Sequence, residues 1–174
     1  MPSNESQEYI SIGTWLKDKL LYHIRSSHNK VKRLQVNFGE VWFCDLGYNI
    51  GREKNKVRPV LVLSNNKINK SEKVVVVAIT DAIGKLNKQN LPAQDSWYLL
   101  YSDTQDVTKM FAPGRLIPNN QKAYSFLEKD SVLQCEEIRS VSKVRLDATR
   151  GCIGKLSEAD MNNIKSKFKR AYNL

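Results

Sequence analysis

The chain has 174 residues, of which 41% are hydrophobic and 26% charged, and this balance excludes a disordered chain and favours one globular domain with a real core. Its formal net charge is +10 and its pI is about 9.5, which favours a polyanionic partner, either nucleic acid or an acidic protein. No apolar run approaches a membrane span, and the first ten residues lack a basic leader followed by an apolar core, so we expect neither a transmembrane helix nor a secretory signal.

The cysteines and histidines give no support for a metal site or a disulfide framework. Cys44, Cys135 and Cys152 are scattered and odd in number, and His23 and His28 lie far from all of them in sequence. The carboxylates are dispersed as well, so a two-metal nuclease has little support. We therefore expect a cytoplasmic protein with free thiols and no cofactor.

A first helix is predicted from Ser11 to Ser27, with Thr14 as its N-cap. Its apolar residues recur four apart, at Ile12, Leu16, Leu20 and Ile24. Two interpretations of this helix stay open: it packs against the main domain or a twin chain, or its basic face contacts nucleic acid. The polar stretch that follows predicts a boundary, with residues 1–38 as a helical extension and linker and residues 39–174 as the main domain.

Short β-branched and aromatic runs then predict a series of strands with turns between them. In chain order they are "EVWFCDL", "RPVLVLS", "VVVVAIT", "SWYLLY" and "SVLQCEEIRSV". This pattern with few helices predicts a mainly β (α+β) fold built as a small antiparallel barrel. The segment from Asp103 to Tyr124, with two prolines and an Asn-Asn pair, predicts an irregular insertion between strands.

The end of the chain predicts a second amphipathic helix. Ser157 and Asp160 have the spacing of a capping box at its start. Met161, Ile164 and Phe168 then form an apolar stripe that continues to Tyr172.

Polar residues at strand ends are the candidate chemistry. Arg58 precedes Pro59, so its backbone is held extended at a strand start, and Thr80 closes the following predicted strand. Glu53 lies in the charged loop before Arg58, and Glu136 interrupts the last strand. Spacing alone does not decide between catalysis and ordinary strand ends, since arginine and threonine flank strands routinely.

The segment "GEVWFCDLGYNIGREKNKVRPVLVLSNN" resembles the opening of the MazF/PemK toxins, ribonucleases of bacterial type II toxin–antitoxin systems. The similarity continues through "VVVVAIT" and "KDSVLQCEEIRSVSKVRL" and into "GCIGKLSEADMNNIKSKF". It covers about Gly39 to Leu174, apart from the insertion at about residues 103–124. The resemblance implies an SH3-like barrel that forms a homodimer and cleaves single-stranded mRNA at a short sequence without a metal ion. It also implies an acidic antitoxin that covers the RNA groove.

The resemblance also assigns roles to individual residues. The family's arginine before proline falls on Arg58 and its strand-ending threonine on Thr80, as stabilisers of the phosphate in the transition state. Its loop acid falls on Glu53, the candidate general base, with Glu136 as the competing acid. The residues expected to contact RNA are Arg52, Lys54, Lys56, Asn65, Glu137 and Arg139.

Several positions depart from the family pattern. Arg52 replaces a usual serine, Lys54 and Glu137 each replace a usual glutamine, and Gln134 stands where some members have an arginine. These differences concern the substrate contacts and the identity of the base. The alternative to a nuclease is a non-catalytic binding module on the same barrel, such as a gyrase poison or a DNA-binding regulator.

Overall fold

The computed structural model describes residues 4–27, 34–112, 114 and 116–174. Helix α1 spans Asn4–Ser26 and helix α2 spans Glu158–Tyr172. The strands are β1 Glu40–Asp45, β2 Val57–Val62, β3 Lys73–Asp81, β4 Trp97–Ser102, β5 Ala123–Tyr124, β6 Ser131–Ser142 and β7 Cys152–Lys155. The predicted mainly β fold with a helix near each end is confirmed. Across the described ranges, no helix has the length and apolar character needed to cross a membrane.

The strands form one seven-stranded sheet in the order β5-β4-β6-β3-β2-β1-β7. Neighbouring strands are antiparallel except β4 and β5, which pair in parallel through Tyr101↔Ala123 and Ser102↔Tyr124. The prediction of an antiparallel sheet is wrong for this one pair, because the insertion carries the chain back beside β4 in the same direction. The described part of that insertion contains a single 3-10 turn, Val107–Lys109, before β5.

Strand β6 organises the sheet because its two halves pair differently. Its first residues pair with both β4 and β3, and its later residues pair with β3 alone. Between the halves the register with β3 shifts, from Val77↔Ile138 to Ile79↔Leu133. A shift of this kind leaves extra β6 residues unpaired and bends the strand, which curls the sheet.

The two faces of the sheet bury different apolar clusters. Leu61 and Val77 point to the face that α2 covers with Met161 and Ile164. Val60, Val62 and Val76 point to the other face, where they pack with β1 residues such as Trp42 and Cys44. Because side chains alternate along a strand, Arg58 lies on the same face as Val60 and Val62.

Helix α1 begins at Asn4, seven residues before the predicted start. Thr14 is not its N-cap: it lies inside the helix, where its hydroxyl donates to the Ile10 carbonyl at 2.9 Å. Residues 4–10, before the predicted start at Ser11, contain no proline or glycine to stop the helix from extending toward the N-terminus.

Helix α1 contacts the barrel through an aromatic face. The Tyr22 hydroxyl donates to Asp45 at 3.0 Å, and the Arg145 guanidinium lies 5.1 Å from the Trp15 ring centroid. The Trp15 ring also fills the space beside Gly47, where an added Cβ would stand 2.6 Å from it. The helix therefore packs against the main domain, as one of the two interpretations expected.

Helix α2 begins at the predicted N-cap, Ser157, but the second bond of a capping box is replaced, because the Ser157 backbone amide donates to the Tyr124 hydroxyl at 2.9 Å. The Asp160 amide donates to the Ser157 hydroxyl at 3.1 Å, and that hydroxyl donates to the Asp160 carboxylate at 2.7 Å. The same buried carboxylate accepts from the hydroxyls of Tyr98 and Tyr124. The start of α2 is thus tied to β4 and β5, as well as to the core through its apolar stripe.

Candidate active site

The structure brings Arg58 and Thr80 to the same end of adjacent strands. Strands β2 and β3 pair through Val60↔Ala78, Leu61↔Val77 and Val62↔Val76. This register, continued by two residues, places Arg58 opposite Thr80, and both side chains belong to the same face of the sheet. Thr80 is 7% exposed, so its side chain lies at the edge of the core.

Arg58 is oriented by the chain that precedes it. Its Nε donates to the Asn55 carbonyl at 2.8 Å, which anchors one edge of the guanidinium. On β1 the residue paired with Arg58 is Cys44, whose thiol is fully buried. Burial raises the pKa of Cys44 to about 12, so the thiol stays protonated at neutral pH and is excluded as a nucleophile.

Residues 46–56 connect β1 to β2, and we call them the site loop. Backbone hydrogen bonds close its base, from the Lys56 amide to the Gly47 carbonyl at 2.7 Å and from the Leu46 amide to the Lys56 carbonyl at 3.0 Å. Inside the site loop, the side-chain amide of Asn49 donates to the backbone carbonyls of Leu46 and Lys54. These bonds give the site loop a defined shape. They therefore also fix the position of the Asn55 carbonyl, which accepts the hydrogen bond from Arg58.

Two ion pairs fasten the site loop to β6. The Lys54 ammonium lies 3.2 Å from the Glu137 carboxylate, and the Arg139 guanidinium lies 3.8 Å from the Glu53 carboxylate. Arg139 also donates to the Lys54 carbonyl at 3.4 Å. Four of the residues singled out from the sequence therefore form one cluster beside Arg58.

Glu136 has different neighbours from Glu137, although the two are adjacent. Its carboxylate accepts from the Trp97 indole at 2.6 Å and from the Ser96 hydroxyl at 3.0 Å. The two acids therefore diverge from β6, with Glu136 directed toward the start of β4 and Glu137 toward the site loop. Each carboxylate oxygen of Glu136 already has a donor, whereas the Glu53 side chain is 60% exposed.

The other residues expected to bind RNA divide into two groups. Arg52 and Lys56 are exposed on the site loop, near Arg58. Asn65 lies beyond the opposite end of β2, where its side-chain oxygen accepts from the amides of Lys67 and Ile68. The structure does not bring Asn65 to the Arg58 end of the sheet.

Gln134 belongs to the same region and was not among the predicted site residues. It pairs with Trp97, and alternation along β6 places its side chain on the face of Val132, the residue paired with Thr80. Gln134 is 7% exposed, and its Oε1 has no hydrogen-bond partner among the residues that the structure describes. The only sequence signal was its departure from the family pattern, where some members carry an arginine.

The charge around Arg58 is predominantly positive. Five cations and two carboxylates lie on the site loop, at the start of β2 and on the facing part of β6: Arg52, Lys54, Lys56, Arg58 and Arg139 against Glu53 and Glu137. Such a surface attracts a phosphodiester backbone, and the Glu53 carboxylate within it is exposed to solvent. Within the described part of the chain, no group of three or more histidine, cysteine, aspartate or glutamate side chains has a metal-binding arrangement.

Comparison with known proteins identifies the family. Residues 37–172 match the family described as PemK-like, MazF-like toxin of type II toxin-antitoxin system. The chain is similar to the endoribonuclease EndoA of Bacillus subtilis, with 32% identity over 111 residues that cover 64% of this chain and 74% of that protein.

Solved structures share the fold at low sequence identity. An endoribonuclease in complex with its cognate antitoxin from a mycobacterial species has a TM-score of 0.50 and 21% identity, covering 80% of this chain and 96% of that one. MazF from Deinococcus radiodurans also has a TM-score of 0.50, with 14% identity and coverage of 80% and 97%. The chain belongs to the PemK-like, MazF-like toxins of type II toxin–antitoxin systems.

Proposed function

We propose that this protein is a toxin endoribonuclease that cleaves single-stranded mRNA at a short sequence without a metal ion. The proposal rests on the β2–β3 register, which aligns Arg58 with Thr80 when it is continued two residues past Val60↔Ala78, beside a basic loop with an exposed carboxylate. The family assignment and the similarity to EndoA support the same reaction. Cleavage of message would inhibit translation and growth.

The reaction uses the nucleophile that RNA supplies. Glu53 takes the proton from the 2′-hydroxyl, whose oxygen attacks the adjacent phosphorus and displaces the 5′-oxygen of the next nucleotide, and this leaving oxygen takes up a proton from water. The products are a 2′,3′-cyclic phosphate and a 5′-hydroxyl. We assign Glu53 rather than Glu136 as the base because both Glu136 oxygens already accept hydrogen bonds from β4 and the residue before it.

Arg58 and Thr80 act on the phosphate. The planar, positively charged guanidinium of Arg58 matches two phosphate oxygens, so it stabilises the negative charge of the pentacoordinate transition state. The hydroxyl of Thr80 donates to a non-bridging oxygen and holds the phosphate in line for attack. Gln134, on the same face of β6 as Val132, which pairs with Thr80, is a further candidate contact for the RNA.

We also propose the partners that the family implies. An acidic antitoxin would compete with RNA for the cations of the site loop, and raised salt would weaken both complexes. The mycobacterial relative was solved with its cognate antitoxin, which supports this expectation. We further propose a homodimer located in the cytoplasm, consistent with three free cysteines.

The test is cleavage of a single-stranded RNA by the purified protein in EDTA. We expect cleavage by the wild type and by Lys88→Ala, which removes an exposed cation outside the site, and a loss of at least about a hundredfold in Arg58→Ala. Arg58→Lys should recover little, because lysine lacks the planar fork.

The RNA substrate supplies the second control. One 2′-deoxy substitution at the cut site should stop cleavage there while binding persists, because only the nucleophile is removed. Intact RNA after incubation with the wild type, together with inhibition of gyrase or with DNA binding, would replace the nuclease with one of the non-catalytic modules. Cleavage unaffected by both Arg58 variants would overturn the site assignment.

A further inference from the structure

The face of the sheet that carries Arg58 and Thr80 has two separate apolar clusters. Thr80 lies between them along β3, since Ala78 belongs to the first cluster and Ala82 to the second. The second cluster also contains Val132, the residue of β6 that pairs with Thr80. Thr80 is therefore a polar position between two apolar surfaces, and a second polar position follows on β6.

That second position is Gln134. It comes two residues after Val132 on the same face of β6, pairs with Trp97 of β4 and is 7% exposed. Its side-chain Oε1 has no hydrogen-bond partner among the residues that the structure describes. Buried polar atoms in proteins are almost always hydrogen-bonded, because an unpaired one costs stability. Gln134 therefore has an unused acceptor at the edge of the candidate site.

The donors beside Gln134 at the start of β4 are already used. The Trp97 indole donates to Glu136 at 2.6 Å, and the Ser96 hydroxyl donates to the same carboxylate at 3.0 Å. The side chain of Val132, on the same face of β6, has no donor. A methionine at position 134 would fill a similar volume without an unpaired oxygen, so packing alone does not require glutamine there.

Gln134 stands at the start of an irregular stretch of β6. Residues 134–137 lie between the two registers with β3, where β3 has Ala78 alone. Bulges are common next to active sites, because the extra residues re-aim side chains away from the regular ladder. The unpaired acceptor thus occurs where the backbone departs from the regular sheet.

The insertion lies beside the same position. Phe111 and Ala112 pack on the second apolar cluster. The Asp130 amide donates to the Lys109 carbonyl at 3.2 Å, which ties the insertion to the start of β6. Phe111 and Ala112 therefore place the insertion on the same face of the sheet as Gln134, on the side of β4.

The unpaired atom is an acceptor, and this decides which part of an RNA it can contact. Phosphate oxygens are acceptors too, so Oε1 repels them. The exocyclic amino groups of adenine, cytosine and guanine are donors that project from the edge of the ring. The N3–H of uracil lies between two carbonyl oxygens, whose negative charge opposes that of Oε1. An amino group is therefore the matching donor.

We propose that Gln134 determines sequence specificity, with its Oε1 accepting from the exocyclic amino group of one base next to the scissile phosphate. Uracil is then disfavoured at that position. This inference rests on the proposed RNA cleavage and adds the class of base that the site selects. Arg58 and Thr80 act on the phosphate and carry no sequence information, whereas a contact to a base edge does.

Cleavage of a pool of single-stranded RNAs with randomised sequence, followed by sequencing of the cut ends, tests the proposal. We expect the wild type to avoid uracil at one position beside the cut, and Gln134→Met, which lacks the amide, to reduce this preference by at least about tenfold. Gln121→Met is the matched control, because the Gln121 amide donates to the Leu99 carbonyl at 3.1 Å and so already has a partner. It should keep the wild-type preference.

A substrate that lacks only the amino group gives a sharper test. At the selected position, purine riboside replaces adenosine, inosine replaces guanosine, or pyrimidin-2-one riboside replaces cytidine. We expect kcat/KM of the wild type to fall by at least about tenfold, and that of Gln134→Met to change by less than about twofold, because the contact is already absent. Equal losses in the two proteins would overturn the contact.

The outcomes separate this inference from the proposed function. Intact RNA after incubation with the wild type would overturn both. Cleavage by the wild type and by Gln134→Met with the same base preference would overturn only the role of Gln134, and so would a loss of rate in Gln134→Met that is equal for every sequence.

Urea unfolding distinguishes recognition from a role in folding. We expect Gln134→Met to keep the wild-type midpoint or to raise it, because the variant removes an unpaired buried oxygen, whereas Gln121→Met should lower the midpoint. A midpoint lowered as much in Gln134→Met as in Gln121→Met would show that the amide of Gln134 serves folding, and would overturn the proposal.

Discussion

The ammonium of Lys54 lies 3.2 Å from the carboxylate of Glu137, and this contact ties the site loop to the centre of the sheet. The two side chains are only 17% and 29% exposed, so water screens their attraction less than at an open surface. The same loop carries Glu53 and the Asn55 carbonyl that orients Arg58. The ion pair therefore acts on the positions of Glu53, the proposed base, and of Arg58, the proposed phosphate-binding residue.

A charge-reversal cycle tests this positioning role. Lys54→Glu and Glu137→Lys each place like charges face to face, and we expect each to lower kcat/KM by roughly five- to tenfold, about 1 kcal/mol. The double variant restores the attraction with the charges exchanged, so it should recover most of the activity. If the two residues act only by contacting RNA, the exchanged pair will show the combined loss of the single variants.

Thr80 gives a prediction about the hydroxyl alone. Thr80→Val keeps the shape of the side chain and removes the donor, so we expect kcat to fall by about a hundredfold with little change in KM. Thr80→Ser keeps the donor and should retain most of the activity. Single-turnover cleavage of a short RNA measures both variants, with circular dichroism as the control for folding. Equal activity of the valine variant and the wild type would remove Thr80 from the mechanism.

The assignment of the base can be tested by a matched pair of variants. Glu53→Gln should lower kcat for a short single-stranded RNA by about a hundredfold or more, because it removes the group that accepts the proton. Glu136→Gln keeps an oxygen for the Trp97 indole and should retain most of the activity. A loss of activity in Glu136→Gln alone would exchange the two assignments.

The elements that are predicted correctly from the sequence are those that a local pattern of residue types specifies. The run Val74–Val77 has no competing helical periodicity, and the spacing of Ser157 and Asp160 marks the start of α2 directly. The same reasoning does not give the direction in which α1 packs. Its most regular apolar residues are exposed, and the amphipathic rings of Trp15 and Tyr22 make the contact instead.

The candidate site depends more on tertiary structure. Strand ends identify Arg58 and Thr80 as candidates, but only the β2–β3 register, continued two residues past Val60↔Ala78, aligns them. Glu136 and Glu137 look equivalent in sequence. Their side chains diverge next to the register shift in β6, and no residue type in that stretch predicts the shift from the sequence.

Alkaline pH provides a test of the tyrosine network at the start of α2. Burial, and then the hydrogen bond to Asp160, raises the pKa of Tyr124 to about 12 in the folded protein, and burial also raises that of Tyr98. In the unfolded chain a tyrosine loses its proton near pH 10, so between about pH 10 and 12 the unfolded state binds fewer protons than the folded state. The contribution of these tyrosines to the free energy of unfolding should therefore be constant below pH 10 and fall as the pH rises above it.

Urea unfolding of the wild type and of Tyr124→Phe, at steps between pH 8 and about pH 11, measures this effect. The variant lacks one titrating group, so its stability should decline less steeply above pH 10, although it starts lower because a buried hydrogen bond to Asp160 is lost. Parallel declines in the two proteins would show that Tyr124 ionises at the same pH in both states. Burial and the hydrogen bond to the Asp160 carboxylate would then not raise the pKa of Tyr124 in the folded protein.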